Sequence, residues 1–176
     1  MKARKCKYCK NSFEPVAFLQ KNCFDPNCVT EWIQETKQKA WQKKKAKLKL
    51  DLMTIQDYIK LAQQVFNKFI RLRDAGKNCI SCNKKPLKEN AGHFYNANNH
   101  WNVRFNEDNV HLQCEYCNTY LHGNLIEYRS NLINKIGNAK FVILEAESKK
   151  TRKFSIEDLK EIISVYKDQI KNFEKK

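Results

Sequence analysis

The sequence has little of what breaks regular structure, with only 4 Gly and 3 Pro among 176 residues. This scarcity argues against a loop-rich or low-complexity protein. No apolar run approaches the ~20 residues that span a bilayer. No apolar segment follows the basic residues at the start, so no signal peptide is predicted either. We therefore expect a cytoplasmic protein without a membrane partner.

Acidic residues are also in the minority, with 19 Asp and Glu against 34 Lys and Arg, which gives a net charge of +15. Such an excess favours a polyanionic partner, because neutralising phosphates releases condensed counterions. Ribosomal and membrane-surface proteins share this feature. Charge therefore indicates a class of partner and does not identify a function.

Cysteine, in contrast, is plentiful: the chain has 8, grouped in four close pairs, of which three have the spacing C-x2-C. That spacing suits a zinc knuckle, in which a tight turn directs two thiolates at one ion. Disulfides are disfavoured in a reducing cytosol. Two structural Zn²⁺ sites account for every cysteine: Cys6, Cys9, Cys23 and Cys28 form one, and Cys79, Cys82, Cys114 and Cys117 form the other.

Composition divides the chain into three parts. Residues 1–30 are an N-terminal zinc knuckle, too small to fold without its metal. Residues 31–53 are a basic helical linker, with seven lysines between positions 37 and 49. This linker either contacts a phosphate backbone through Lys43, Lys44 and Lys45 or is a solvated connector. Residues 54–176 form the third and largest part.

Capping boxes locate the helices of this last part. Thr54-x-x-Asp57 opens a helix that ends near Gly76, and Ser155-x-x-Asp158 opens a final amphipathic helix. Between them, residues 132–147 are predicted to be helical with a break near Gly137. The final helix either closes the core or pairs with a second subunit, and core closure is favoured.

Two histidines and two asparagines lie between or just after the last two cysteine pairs: His93, Asn109, Asn118 and His122. This pattern resembles the HNH endonucleases of the ββα-metal type. In that family a histidine ends the first strand. An asparagine precedes the second cysteine pair, and another histidine directly follows the last cysteine of that pair. Asn118 departs from the family at the third position, and Gly92 replaces the additional metal ligand that many members carry before the base.

The resemblance implies roles for these residues in phosphodiester hydrolysis. His93 is the general base that accepts a proton from water, and Asn109 holds its imidazole through an amide hydrogen bond. Asn118 and His122 carry a catalytic Mg²⁺ or Mn²⁺. Since His122 follows Asn118 by four residues, we expect the two on one helical face.

Three further polar residues accompany this set. His100 and Arg104 are candidate DNA contacts, the former weighed against an ordinary surface histidine. His111 shares a strand face with Asn109 and Gln113. It either lines the site or makes a structural hydrogen bond.

Longer motifs resemble the NinG (Rap) proteins of lambdoid bacteriophages. They include Ala91-Gly-His-Phe, Arg104-Phe-Asn-Glu-Asp-Asn-Val-His, Gln113-Cys-x-x-Cys-Asn and Leu121-His-Gly-Asn-Leu. The resemblance implies a recombination endonuclease in the host cytoplasm that acts on branched DNA, namely Holliday junctions and D-loops. It would work beside phage or host recombination proteins, and cutting both strands symmetrically would suit a homodimer.

The sequence thus predicts a mostly helical α+β protein, in which an HNH-like, zinc-stapled ββα-metal core is flanked by helices and preceded by the N-terminal knuckle. The predicted activity is metal-dependent cleavage of branched DNA. Two alternatives stay open. A non-catalytic zinc-ribbon protein that binds nucleic acid explains the cysteines and the charge, and a zinc-knuckle adaptor for other proteins explains the charge least well.

Overall fold

A computed structural model describes residues 2–175. The chain divides into two compact units, Met1–Met53 and Thr54–Lys176. The first and last residues of the ranges predicted from the sequence, Met1 and Lys176, lie outside the described residues. The protein is mostly helical, with two small antiparallel sheets.

The first unit is a two-stranded sheet followed by one long helix. Strands β1 (Arg4–Lys5) and β2 (Ser12–Phe13) pair antiparallel, and helix α1 covers Pro26–Asp51. Asp25 caps this helix by accepting hydrogen bonds from the backbone N–H groups of Asn27 and Cys28. The boundary expected at residue 30 therefore falls inside the helix, whose first turn contains a cysteine of the knuckle.

The second unit contains four helices, a hairpin and several single turns. Helix α2 (Ile55–Arg73) leads to strand β3 (Glu89–His93), which pairs antiparallel with β4 (Val110–Cys114). Two 3₁₀ turns, Trp101–Val103 and Glu107–Asn109, lie between the strands. A one-turn π-helix (Tyr116–Tyr120) precedes α3 (Leu125–Ile136), α4 (Asn138–Ser148) and α5 (Ile156–Glu174).

The local signals for the helices are confirmed. Both capping boxes form, at Thr54 with Asp57 and at Ser155 with Asp158. Gly137 separates α3 from α4 with a φ of 83°, a value that favours glycine.

Helix α5 closes the core, as the apolar stripe predicts. Tyr166 lies 4.9 Å from both Phe66 and Phe69, measured between ring centroids, and Ile170 is buried in the same cluster. A second cluster packs α3 and α4 against Ile80 and Val103 through Tyr128, Leu132, Phe141 and Leu144, and the hydroxyl of Tyr128 donates to the carbonyl of Gly92 in the hairpin. The hairpin that carries His93 therefore has a packed support on each side.

A buried carboxylate fastens the hairpin to the end of α2. Asp74 is 1% exposed and accepts a hydrogen bond from the backbone N–H of Leu112 at 3.2 Å. Arg73 pairs with Asp74 at 2.7 Å and also donates to the carbonyls of Glu107 and Val110. Lys77 and Lys135 complete the charge balance at 2.9 and 3.8 Å from the carboxylate.

Within residues 2–175, none of the helices combines the length and the apolar character required to cross a bilayer.

Candidate functional site

The eight cysteines form two tetrads with the geometry of zinc sites. In each tetrad the four Sγ atoms lie within 4.8 Å of one another. The Sγ atoms of Cys9 and Cys23 are 3.8 Å apart, as are those of Cys82 and Cys114. Zn–S bonds of about 2.3 Å at tetrahedral angles require an S···S separation of about 3.8 Å, whereas a disulfide requires about 2.05 Å. All eight thiols are free, and both donor sets fit Zn²⁺.

The first C-x2-C pair of each tetrad has the same backbone. Lys10 donates from its N–H to the carbonyl of Cys6 at 3.1 Å, and Asn83 donates equivalently to Cys79 at 2.9 Å. Lys10 and Asn83 both have positive φ angles, 65° and 55°. The two knuckles are thus structural repeats, although the residues between them do not match.

Backbone N–H groups favour the thiolate form of one cysteine in each tetrad, whereas burial raises the pKa of Cys28, Cys114 and Cys117. Burial raises the pKa of the Cys6 thiol, but hydrogen bonds from the backbone of Cys23, Tyr8 and Cys9 outweigh it, and the pKa falls to about 6. The pKa of Cys79 is lowered by the same balance of burial against backbone hydrogen bonds. Since zinc binds thiolates, these turns are prepared for a metal ion.

His93 lies at the end of β3, half-buried, with its ring orientation fixed. Its Nε2 is 3.0 Å from the carbonyl oxygen of Arg104. A carbonyl only accepts, so Nε2 carries the hydrogen and, in the neutral ring, the lone pair is on Nδ1. Burial lowers the pKa of His93 to about 4, against the opposing effect of hydrogen bonds to the backbone of Arg104 and Ala91. At neutral pH the imidazole is therefore uncharged and able to accept a proton.

Asn109 does not hold this imidazole directly, which corrects the expected amide hydrogen bond. Its Nδ2 donates to the carbonyls of Tyr95 and Val103, both at 3.0 Å, and its Oδ1 accepts from the Tyr95 N–H at 2.8 Å. The side chain is fully buried. Asn109 thus fixes the loop that leads to the Arg104 carbonyl, and so acts on His93 through the backbone.

Gly92, where many HNH enzymes have a metal ligand, is explained by packing. A Cβ at this position would lie 2.1 Å from Oε1 of Gln113. Gln113 is fully buried, and its Nε2 donates to Ser81 Oγ at 2.6 Å and to the Gly123 carbonyl at 2.5 Å. A side chain at residue 92 has no space while this network exists.

Replacing Gly92 with alanine is expected to destabilise the second unit by about 1–3 kcal/mol, the usual cost of overpacking. The measurement is the free energy of unfolding in denaturant. In a Gln113→Ala background the same substitution should cost less, because the clashing amide is gone. An equal cost in both backgrounds would contradict this account of Gly92.

Asn118 and His122 are not one turn apart on a common helix face, which corrects the expected geometry. The helix that contains Asn118 is a single π-turn ending at Tyr120. His122 follows in a turn with a φ of 49°, and Gly123 and Asn124 also have positive φ. His122 is exposed and Asn118 is half-buried. The helix ends between them, so sequence spacing alone does not bring them together.

Two expected DNA contacts have structural partners instead. Arg104 is only 8% exposed, donates to Gln63 Oε1 at 2.9 Å and lies over the Trp101 ring at 4.9 Å. His100 donates from Nδ1 to the carbonyl of Ser148 at 2.9 Å. A buried guanidinium is not available to phosphate, so the structure does not support the DNA contact expected for Arg104. Lys43, Lys44 and Lys45 are exposed on α1.

His111 is buried, with its Nδ1 3.4 Å from the hydroxyl of Tyr128, which donates to the Gly92 carbonyl at 2.9 Å. Burial, followed by the charges of Lys135 and Arg73, lowers its pKa to about 3. These contacts favour a structural role for His111, one of the two roles that the sequence left open.

Acid is expected to destabilise the second unit through His93 and His111. Their folded pKa values, about 4 and about 3, lie below the ordinary value of about 6.5. The unfolded chain therefore binds more protons than the folded one below pH 6.5, and stability falls as the pH drops from there towards 4. The slope is at most about 1.4 kcal/mol per pH unit for each histidine.

Denaturant unfolding across this pH range measures the effect, and the slope should be shallower in a His111→Asn variant. Since acid also protonates zinc ligands, released zinc is quantified at each pH. A slope that follows zinc release alone, and is unchanged in the variant, would refute the assignment to histidine.

Two residues that support the site carried no signal in the sequence. Asp74 is a buried anion surrounded by cations, but Lys135 is too distant in sequence for the pairing to be anticipated. Ser81 lies between Cys79 and Cys82 and looks like a spacer in the sequence. Its hydroxyl nevertheless accepts from the amide of Gln113 and donates to the carbonyl of Gly123.

A profile of the family described as "Bacteriophage Lambda NinG protein" matches residues 1–176. The chain belongs to the NinG family. It is 35% identical over 190 residues to protein ninG of Escherichia phage lambda, an alignment that covers 96% of this chain and 92% of the relative. It is 33% identical over 188 residues to protein ninG of Escherichia phage 933W, with coverages of 96% and 92%.

A further NinG protein, from Salmonella phage P22, is 34% identical over 190 residues, covering 96% of this chain and 93% of the relative. No solved structure matches the chain.

Proposed function

We propose that this NinG-family protein is a metal-dependent endonuclease that hydrolyses phosphodiester bonds in branched DNA, in the cytoplasm of the host cell. The observation that carries the proposal is the state of His93. Its imidazole is uncharged and oriented through Nε2, and its Nδ1 has the lone pair needed to accept a proton from water. The net charge of +15 supports a polyanionic substrate.

The hairpin of β3 and β4, with a cysteine pair before β3, a second pair at the end of β4 and a helix after it, supports an HNH-like arrangement around this residue. In the proposal, His93 removes the proton from the attacking water. Asn109 keeps the 95–104 loop in place, so that the Arg104 carbonyl prevents the ring from rotating. The Cys79–Cys117 tetrad ties both ends of the hairpin together and takes no part in the chemistry.

A catalytic Mg²⁺ or Mn²⁺ would be held by few protein atoms. Apart from the two tetrads, no group of three or more His, Cys, Asp or Glu within residues 2–175 is arranged to hold a metal ion. Asn118 and His122, the ligands that the family resemblance implies, do not share a helix face, so we assign no joint ligand pair, and water would supply most of the shell as Mg²⁺ allows. When bound, the ion would stabilise negative charge that develops on the phosphate.

The test uses purified protein and labelled DNA, either a four-way junction or a linear duplex of matched sequence. Each is incubated with Mg²⁺, with Mn²⁺ and without added divalent ion. We expect cleavage of the junction alone, and only with the ion. Junction binding without cleavage under all three conditions would instead support the zinc-ribbon reading, which the tetrads and charge fit equally well.

A further inference from the structure

An open groove of about 390 Å³ lies beside the second tetrad, outside the proposed catalytic set. It separates the 83–88 loop from the π-helix that follows Cys114. Its walls include basic, aliphatic and aromatic side chains: Lys84, Lys85, Leu87, Tyr116, Tyr120 and Leu121.

One wall of the groove is held rigidly. The carbonyl of Lys84 accepts from the N–H of Cys79 at 2.9 Å, and the carbonyl of Lys88 accepts from the N–H of Glu115 at 3.2 Å. Between these two anchors Leu87 is fully exposed to solvent. A leucine presented on a fixed loop keeps its apolar surface available for a partner.

The other wall is aromatic. Tyr116 and Tyr120 are 63% and 67% exposed, with ring centroids 6.0 Å apart and ring planes inclined by 33°. Neither hydroxyl has a hydrogen-bond partner in the part of the chain that the structure describes. Two exposed rings side by side offer aromatic surface of the kind on which nucleic-acid bases stack.

The rim of the groove is basic. Lys88 pairs with Glu115, whereas Lys84 and Lys85 form no ion pair within residues 2–175. A Zn²⁺ held by four thiolates has a net charge of −2; Cys117 is buried, whereas Cys82 and Cys114 are half-buried and line the groove. The ammonium groups are exposed, so they set the charge that a partner meets at the rim.

We propose that this groove binds unpaired nucleotides of single-stranded DNA. Bases stack on Tyr116 and Tyr120, and phosphates contact Lys84 and Lys85. The inference rests on the proposed function for its choice of DNA, since one of the branched substrates, the D-loop, contains a displaced strand with unpaired bases. A protein partner would also cover the apolar wall, but aromatic faces beneath free ammonium groups match a strand that has flat bases and a charged backbone.

The test measures binding of a single-stranded oligonucleotide that contains 2-aminopurine, whose fluorescence falls when it stacks. All proteins carry His93→Ala, and no divalent ion is added, so that cleavage does not interfere. Tyr116→Leu with Tyr120→Leu removes the rings but keeps apolar bulk, whereas Tyr116→Phe with Tyr120→Phe keeps the rings. Circular dichroism and zinc content verify folding.

We expect about tenfold weaker binding and loss of quenching in the leucine pair, with both retained in the phenylalanine pair. Abasic sites remove the bases that would stack. The protein with both tyrosines should therefore bind an abasic oligonucleotide as weakly as the leucine pair binds normal DNA, and the affinity of the leucine pair should be the same for both oligonucleotides.

Lys84→Ala with Lys85→Ala should reduce the salt slope of binding by about 1.4. Lys140→Ala with Lys153→Ala, outside the groove, should leave it unchanged.

Undiminished binding and quenching in the leucine pair would overturn the inference, as would an equal loss in the phenylalanine pair or an equal change of salt slope for both lysine pairs. The junction-cleavage assay separates this result from the proposed function. If junctions are not cut but the rings quench 2-aminopurine, the nuclease proposal fails and the groove stands. If junctions are cut but the leucine pair binds normally, only the groove fails.

Discussion

Replacing Cys117 with serine is expected to leave one zinc ion per chain instead of two and to unfold the hairpin of the second unit. The Cys79–Cys117 tetrad joins the segment before β3 to the segment after β4. A two-stranded sheet of five residues per strand is marginal by itself. Structural zinc contributes about 10–16 kcal/mol in small zinc-finger peptides, as much as the 5–15 kcal/mol total stability of a typical domain.

Zinc content after gel filtration and near-ultraviolet circular dichroism measure this outcome. Cys28→Ser is the matched control, because it removes the other tetrad. It should also leave one zinc per chain, but the thermal transition of residues 54–176 should remain. A Cys117→Ser protein that retains two zinc ions and the native spectrum would show that the second tetrad does not hold the hairpin.

Local signals in the sequence were enough to locate the capped starts of α2 and α5 and to group the cysteines into two tetrads, whereas α3 begins at Leu125, before the predicted start at residue 132. A capping box or a C-x2-C turn depends on residues within a few positions of one another, so the backbone geometry follows from residue type and spacing. Ser155 with Asp158 and Cys79 with Cys82 are examples. The stripe on α5 also predicted burial, although it did not identify Phe66 and Phe69 as the residues that it covers.

The details around His93 depend on contacts between distant residues, and these the sequence did not reveal. The family pattern paired Asn109 with the imidazole, whereas the fold uses the amide to anchor Tyr95 and Val103. Arg104 has the charge of a DNA contact, but the packing of α2 beside it provides Gln63 as a half-buried partner. In both cases tertiary packing decided which atoms the side chain meets.

The end of the helix after Asn118 shows a second limit of prediction from sequence. An i, i+4 spacing indicates a common face only if the α-helix continues. Here the turn becomes a π-helix, and three consecutive residues, His122, Gly123 and Asn124, adopt positive φ. Gly-Asn in this stretch is a turn signal, and weighing it against the spacing would have predicted the break.

His93→Gln is expected to reduce the rate of junction cleavage by about 10²–10⁴-fold, the usual contribution of a general base. This substitution separates catalysis from structure. The amide of glutamine still has N–H groups that can donate to the Arg104 carbonyl, but it has no basic nitrogen. If His93 were only a structural contact between β3 and the loop, the glutamine variant would stay active.

The rate is measured in single-turnover cleavage of a four-way junction with saturating Mg²⁺, and junction affinity is measured without the ion. Affinity should be unchanged, because the half-buried ring is assigned to the chemical step. His100→Gln is the control, since His100 also bonds a carbonyl through one ring nitrogen, and its cleavage rate should remain within a few-fold of that of the unmodified protein. Equal rates for the two variants would remove His93 as the base.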